Sequence, residues 1–246
     1  EKGHHGHFYN TEADLLLSSP LILHLHRRFA NDLATQCKLT SESRVLSLGC
    51  GEGQIERLLA PMVGEVIGLD ISEIAIANAR EKSFAIRNLK FEVADLSREE
   101  GLAHVGRNFD AVAGFAFLHH LRPDALTRIL GISLEPLRSD GMFYSTDPSA
   151  RRLVRHFAGL VRKRYSETHS DDERELDPLE LHAQFATVGF RNAIVRYVDF
   201  CLGPIAWLMP RFPTLLVPPI AVVDELLCRL PILGRAASSF SVTAQR

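Results

Sequence analysis

An apolar strand that runs directly into three alternating glycines and then into a helix constrains this chain more than any other feature. Residues Arg44-Val-Leu-Ser-Leu-Gly-Cys-Gly-Glu-Gly-Gln-Ile-Glu-Arg-Leu-Leu59 carry it. Glycines at 49, 51 and 53 let the backbone turn tightly and bring its N–H groups close to a ligand, where a Cβ would obstruct. The helix predicted from Gln54 turns a partly positive N-terminus toward the same place. Together they predict a nucleoside-cofactor site.

Spacing separates the cofactors such a loop could serve. The dinucleotide fingerprint G-x-G-x-x-G needs a third glycine at position 54 or 56, where Gln54 and Glu56 stand. The phosphate-cradling G-x-x-x-x-G-K-[ST] fails as well, because no Lys-Ser or Lys-Thr pair follows. What remains is G-x-G-x-G, followed by a second strand, Glu65-Val-Ile-Gly-Leu-Asp70, that ends in an acid. A carboxylate at that edge can accept both hydroxyls of a ribose.

On these residues the chain resembles the class I S-adenosylmethionine-dependent methyltransferases, in the group that includes ubiquinone-biosynthesis and other small-molecule enzymes. Val45 to Gly53 stands where that family has its first motif, and Gly68-Leu-Asp70-Ile-Ser72 where it has the ribose-binding acid. Phe91-Glu-Val-Ala-Asp95-Leu96 is similar to the third strand, whose acid meets the adenine amino group. Phe109 to Leu121 is similar to the fourth strand and its loop, and Gly141 to Pro148 to the fifth. The resemblance implies S-adenosyl-L-methionine as cofactor, with Ser47, Gly49, Cys50, Gly51, Gly53, Asp70, Ile71, Asp95, Leu96, Phe115 and Ala116 around it. Ile71 would pack on the adenine face, and the backbone at Phe115 and Ala116 would meet the methionyl tail. One departure stands out: where the family has Asp or Glu to meet the methionyl amino group, this chain has Ser47. A hydroxyl brings no charge, so either affinity falls or another acid substitutes.

The expected fold is α/β: a Rossmann-like, doubly wound, mostly parallel sheet with an antiparallel last strand, plus helical N-terminal and C-terminal caps. Strand and helix patterns alternate at 45–48, 54–61, 66–70, 73–83, 90–94, 98–104, 109–114, 123–138 and 141–146, the signature of a parallel sheet covered on both faces. Ser72 is the predicted N-cap of the helix 73–83. Asp177 to Phe190 resembles the family's late helix ending in a glycine cap and leads to a strand at 192–200, and the last strand is expected at 240–245. By this reading residues 1–39 form an N-terminal helical cap and 40–246 the methyltransferase domain, with inserts at 149–176 and 201–236.

Chain length, 246 residues, suffices for one large core and an appendage. Twenty-eight Lys and Arg balance thirty Asp and Glu, giving net charge −2, so a nucleic-acid partner is not expected. Cys37, Cys50, Cys201 and Cys228 form no C-x-x-C pair, which argues against zinc or a disulfide framework; no metal is expected. The opening Glu1-Lys-Gly-His-His-Gly-His7 lacks the apolar run of a secretion signal, so a cytoplasmic location is expected. His4, His5 and His7 read as a polar chain end.

Two segments bear on the acceptor. Arg151 to Arg164 reads as an amphipathic basic helix: a solvated face, a lid over the site, or a contact with anionic membrane. Between Phe200 and Val223 Arg211 is the lone cation and acids are absent, but five prolines interrupt any continuous span. Broken helices forming an apolar cap are expected there. Together they suggest a small hydrophobic acceptor such as a natural product, quinone or lipid, with peripheral membrane contact.

Methyl transfer from a sulfonium needs mainly alignment. A hydroxyl or carbon acceptor also needs a base, for which His119 and Tyr165 are the candidates, with Tyr144, Asp147 and His169 behind them. His24 and His26 read as helix-face residues without chemistry. Two rival functions stay open: a non-catalytic cofactor-binding or scaffold protein, which Ser47 favours, and a nicotinamide dehydrogenase, which the glycine spacing opposes. Oxygen, nitrogen and carbon acceptors are not distinguished, nor is the oligomeric state.

Overall fold

The computed structural model describes residues 15–96, 102, 105–153 and 174–246. The three N-terminal histidines, most of the helix expected at 98–104, most of the basic segment, Tyr165 and His169 lie outside the described residues.

Seven strands form one sheet: β1 (Arg44–Leu48), β2 (Glu65–Asp70), β3 (Leu89–Val93), β4 (Phe109–Phe115), β5 (Leu137–Pro148), β6 (Arg191–Val198) and β7 (Ser239–Gln245). Their order is β3-β2-β1-β4-β5-β7-β6, with β7 antiparallel to both neighbours and the other pairings parallel. The order reverses between β1 and β4. That switch point opens a crevice at the carboxyl ends of both strands.

Apolar clusters cover the two faces. Leu46, Leu48, Leu69, Val112, Phe143 and Phe185 belong to one; Val45, Val66, Ile76, Ala111, Ala113 and Tyr144 belong to the other. Adjacent residues of one strand thus feed opposite cores, as burial on both faces requires.

Among the described residues, the helices around the sheet include α1 (Pro20–Gln36), α2 (Gln54–Leu59), α3 (Glu73–Lys82), α4 (Pro123–Ile132), α5 (Pro178–Thr187), α6 (Leu202–Leu208) and α7 (Val217–Arg229). Ser72 caps α3 as expected, its hydroxyl accepting the Ala75 N–H at 3.2 Å. Asp177 caps α5 by accepting from Leu179 and Glu180. Two helices end earlier than their apolar patterns suggest. Pro61 draws the end of α2 into a 3-10 turn at Ala60–Met62. Pro136 disfavours helix at the residue before it, so α4 stops at Ile132 and β5 begins at Leu137, ahead of the expected 141. At only six residues, α2 offers little helix dipole.

Leu21 and Leu25 of α1 pack with Leu202, Ala206, Phe212 and Val217 in a third cluster, so the N-terminal and C-terminal caps are one layer. An ion pair pins it. Arg28 Nη1 lies 2.8 Å from Asp224 Oδ2, and Asp224 Oδ1 accepts the N–H groups of Phe200 and Cys201, both at 2.7 Å. Apolar residues 200–223 therefore form broken helices, and among the described residues no helix is long and apolar enough to cross a membrane.

Candidate active site

The glycine loop leaves β1 through three residues with left-handed backbone: Gly49 at φ +65°, Gly51 at +53° and Gly53 at +72°. Packing demands two of them independently. A Cβ at Gly49 would lie 2.2 Å from Phe117 Cδ2, and one at Gly53 would lie 2.2 Å from Phe91 Cζ. Neighbouring aromatic rings, as well as any ligand, therefore exclude side chains here. Cys50 N–H donates to the Leu69 carbonyl at 3.0 Å, tying the loop to β2. Burial pushes the Cys50 thiol well up, which makes it a packing group.

Asp70 ends β2 beside this loop. Its Oδ2 accepts the Gly51 N–H at 2.8 Å and its Oδ1 accepts the Ser72 N–H at 2.9 Å. A carboxylate offers about four lone-pair directions, so two contacts leave capacity for a diol. Ile71 follows on the same rim, half-buried, and Asp95 lies half-buried just beyond the end of β3. Leu96 is buried within the core that contains Leu69 and Leu102.

A cavity of about 210 Å³ opens between the loop and the cap. The loop side is Gly49 to Glu52 with Gln54, Ile55 and Glu56; the opposite side is Leu17, His26 and Phe29; Phe115, Ala116 and Thr146 close the end. Ligand sites usually occupy roughly 300–1,000 Å³, so this enclosed part holds only one portion of a cofactor-sized molecule. Asp70, Ile71, Asp95 and Leu96 are not among its walls. Ala116 adopts φ +48°, an uncommon backbone for a residue with a Cβ, and its N–H is fixed on the Thr146 carbonyl at 2.7 Å.

Two wall residues are functional candidates that sequence reasoning missed. Glu56 is 2 % exposed, and its Oε1 accepts the Ser47 hydroxyl at 2.6 Å. Burial outweighs that hydrogen bond and lifts the Glu56 carboxyl to about 7. His26, first read as a bland helix residue, faces the cavity from α1; burial and nearby Arg57 push it down to about 4, so it is neutral at physiological pH.

His119 sits elsewhere. Its ring is buried with Nδ1 3.2 Å from Asp147 Oδ1, and it is not a wall of the cavity. Burial keeps both partners neutral, with His119 down at about 4 and Asp147 up at about 8. Tyr144 is fully buried in the sheet core, its hydroxyl pushed well above the ordinary range by burial.

Residues 45–141 match the protein family described as Methyltransferase domain. That segment, running from β1 into β5, is where the chain is similar to a methyltransferase domain. Over 82 residues it is 34% identical to the trans-aconitate 2-methyltransferase of Variovorax paradoxus, covering 30% of each chain. Over 131 residues it is 31% identical to an uncharacterized methyltransferase of Mycobacterium tuberculosis, covering 52% of this chain and 60% of the relative. The matches span less than two thirds of these relatives' own lengths. Among solved structures, an S-adenosylmethionine-dependent methyltransferase from Archaeoglobus fulgidus aligns with TM-score 0.60 and 19% identity, over 90% of this chain and 94% of that one. At that identity the likeness establishes the fold.

S-adenosylmethionine is the cofactor named for the aligned Archaeoglobus fulgidus enzyme. The residues suit it: Asp70 for a ribose diol on the open rim, a side-chain-free loop beside it, and a buried carboxyl at Glu56 in the enclosed part.

Proposed function

We propose that this protein transfers the methyl group of S-adenosylmethionine to a small, hydrophobic acceptor. The observation that carries the proposal is the cavity itself, which joins the glycine loop to an apolar wall of Leu17, Phe29 and Phe115 at the switch point of the sheet. The cofactor supplies an activated methyl on a sulfonium, and the chain's task is to align an acceptor and exclude water. Asp70 and the loop fix the nucleoside end. Leu17 and Phe29, on the cap, shield the reacting atoms from solvent.

Among the described residues no Lys or Arg lines the cavity. A polyanionic acceptor such as trans-aconitate, which one relative is named for, would find no counter-charge there. For acceptors that must lose a proton, His26 lies on the wall as a neutral but weak base, and His119 is engaged with Asp147. Incubation with S-adenosylmethionine and a panel of phenols, quinols and fatty acids, followed by S-adenosylhomocysteine release, tests the proposal. Turnover confined to carboxylate-rich acceptors would contradict it.

The acceptor class also fits an apolar face on the cap. Leu215 is 91% exposed and Ile232 84%, Val222, Val223 and Leu226 are exposed on α7 between them in sequence, and Arg211 and Arg235 are exposed in the same segment of chain. Such a surface suits a bilayer carrying anionic lipid, from which a hydrophobic acceptor could be drawn. Co-sedimentation with phosphatidylglycerol vesicles is expected, and its loss in the Leu215→Glu/Ile232→Glu variant. A chain that stays in the supernatant at low salt would rule out this location.

The non-catalytic alternative drew its support from the uncharged Ser47. Glu56 weakens that support, because a carboxyl lies on the same spot, one hydrogen bond away.

A further inference from the structure

We infer that Glu56 is the anion that receives the ammonium group of the cofactor's methionyl tail, taking over from α2 the charge that position 47 on β1 lacks. The inference rests on S-adenosylmethionine being the cofactor.

Three observations place it there. Ser47 is fully buried at the end of β1, and its hydroxyl donates to Glu56 at 2.6 Å, so the two side chains occupy one polar spot beneath the glycine loop. Glu56 forms a wall of the cavity together with Gly49 and Gly51. A carboxyl this deeply buried ordinarily has a cation against it, because an isolated buried charge is costly. Among the described residues no ion pair is made to Glu56. Adjacent Arg57 turns its guanidinium to the Glu52 carbonyl at 2.6 Å instead.

The rival acid on the wall is Glu52, and it is already engaged. One oxygen accepts the Asn78 amide at 2.8 Å and the other pairs with Lys82. Of the two acids on the wall, Glu56 is the one whose carboxyl gains a charge partner when an ammonium enters. A sulfonium nearby adds a second positive charge with the same preference.

Groups facing Glu56 come from each surrounding element. They are Arg57 on its own helix, Asp70 at the end of β2, the Cys50 thiol in the loop and His26 on α1. Asp70 and burial favour the protonated acid, and Arg57 opposes them. His26 is neutral near pH 7 and adds no cation. At neutral pH the free protein therefore holds a proton on a fraction of the Glu56 carboxyls, and an arriving ammonium displaces it. Ligand binding and proton release are thereby coupled.

Titration calorimetry with two ligands tests this. S-adenosylhomocysteine carries the methionyl-type tail, whereas 5′-methylthioadenosine has the same nucleoside and no amino acid. Glu56→Gln is expected to weaken S-adenosylhomocysteine by about tenfold to a hundredfold, the range for a hydrogen bond to a charged group. Affinity for 5′-methylthioadenosine should stay within about twofold, which also shows that the variant is folded. Equal loss for both ligands, or no loss for either, overturns the inference. A second measurement needs no variant: heats in phosphate and Tris at pH 7 should reveal protons released when the wild type binds S-adenosylhomocysteine and none when it binds 5′-methylthioadenosine. Equal proton counts for the two ligands would also overturn it. A wild type that binds neither ligand strikes down the cofactor reading itself, a result distinct from both.

Discussion

Asp70 accepts the Gly51 N–H at 2.8 Å, so the acid at the end of β2 holds the glycine loop that leaves β1. One carboxylate thereby braces the loop and faces the rim on which a ribose would lie. Asp70→Ala should cost the nucleoside contacts and loosen the loop together. Charge-assisted hydrogen bonds contribute about 1.5–3 kcal/mol each, so calorimetry should show 5′-methylthioadenosine affinity reduced by about tenfold or more. Asp70→Asn, which can still accept from Gly51, should retain more of the fold's stability than Asp70→Ala.

Gly49 and Gly53 should prove necessary for folding as well as for binding. Alanine at either meets an aromatic ring 2.2 Å away and a left-handed backbone. Backbone strain of about 1–2 kcal/mol and overpacking of about 1–3 kcal/mol predict a loss of roughly 2–5 kcal/mol for Gly49→Ala. Urea unfolding without any ligand measures it. A neutral result would show that Phe117 moves aside freely.

Arg28 and Asp224 join segments about two hundred residues apart, and Asp224 is fully buried. Removing one member of such a pair typically costs about 3–5 kcal/mol. Asp224→Ala should therefore release the C-terminal cap from α1, also freeing the Phe200 and Cys201 amides. Enhanced proteolysis within 200–236, with the sheet still protected in hydrogen exchange, is the expected signature.

Stability should fall as pH rises from about 6.5 to 8. Asp147 rises from 3.8 to about 8, Asp199 from 3.8 to about 7 and Glu56 from 4.5 to about 7, each mainly through burial. For these acids the folded state binds more protons than the unfolded one, so their contribution is full below about 4 and is lost as pH climbs through the raised values. His26 and His119, lowered from 6.5 to about 4, act oppositely, adding stability as pH rises toward 6.5 and nothing further above it. Thermal melts at pH 6.5 and 8 should show the decline, and Asp147→Asn should flatten it. A melting temperature constant across that window would contradict the buried acids.

The sheet, the glycine loop and the position of Asp70 at the end of its strand were readable in the sequence because each leaves a local signature. Strands β1 to β5 are apolar runs between turn residues, and the loop is punctuated by glycine. Ser72 announced its helix, and Asp70 ended its strand. Glu56 and His26 were not readable, because each is a polar residue on a helix whose sequence looks the same whether that face meets water or a cavity. Only the approach of α1 to α2 decides the matter. The Arg28 and Asp224 pair escaped for the same reason, since partners so distant in sequence leave no spacing to recognise. The early stop of α4 was legible in Pro136, but the apolar pattern continuing to Leu137 masked it.

Titration of the wild-type chain with S-adenosylmethionine, with NADH as the control, bears most directly on the cofactor rim at Asp70 and the glycine loop. Saturable binding at one site per chain is expected with S-adenosylmethionine and none with NADH. Absence of saturable heat with S-adenosylmethionine, or equal binding of NADH, would contradict the placement of an adenosyl cofactor on this edge of the sheet.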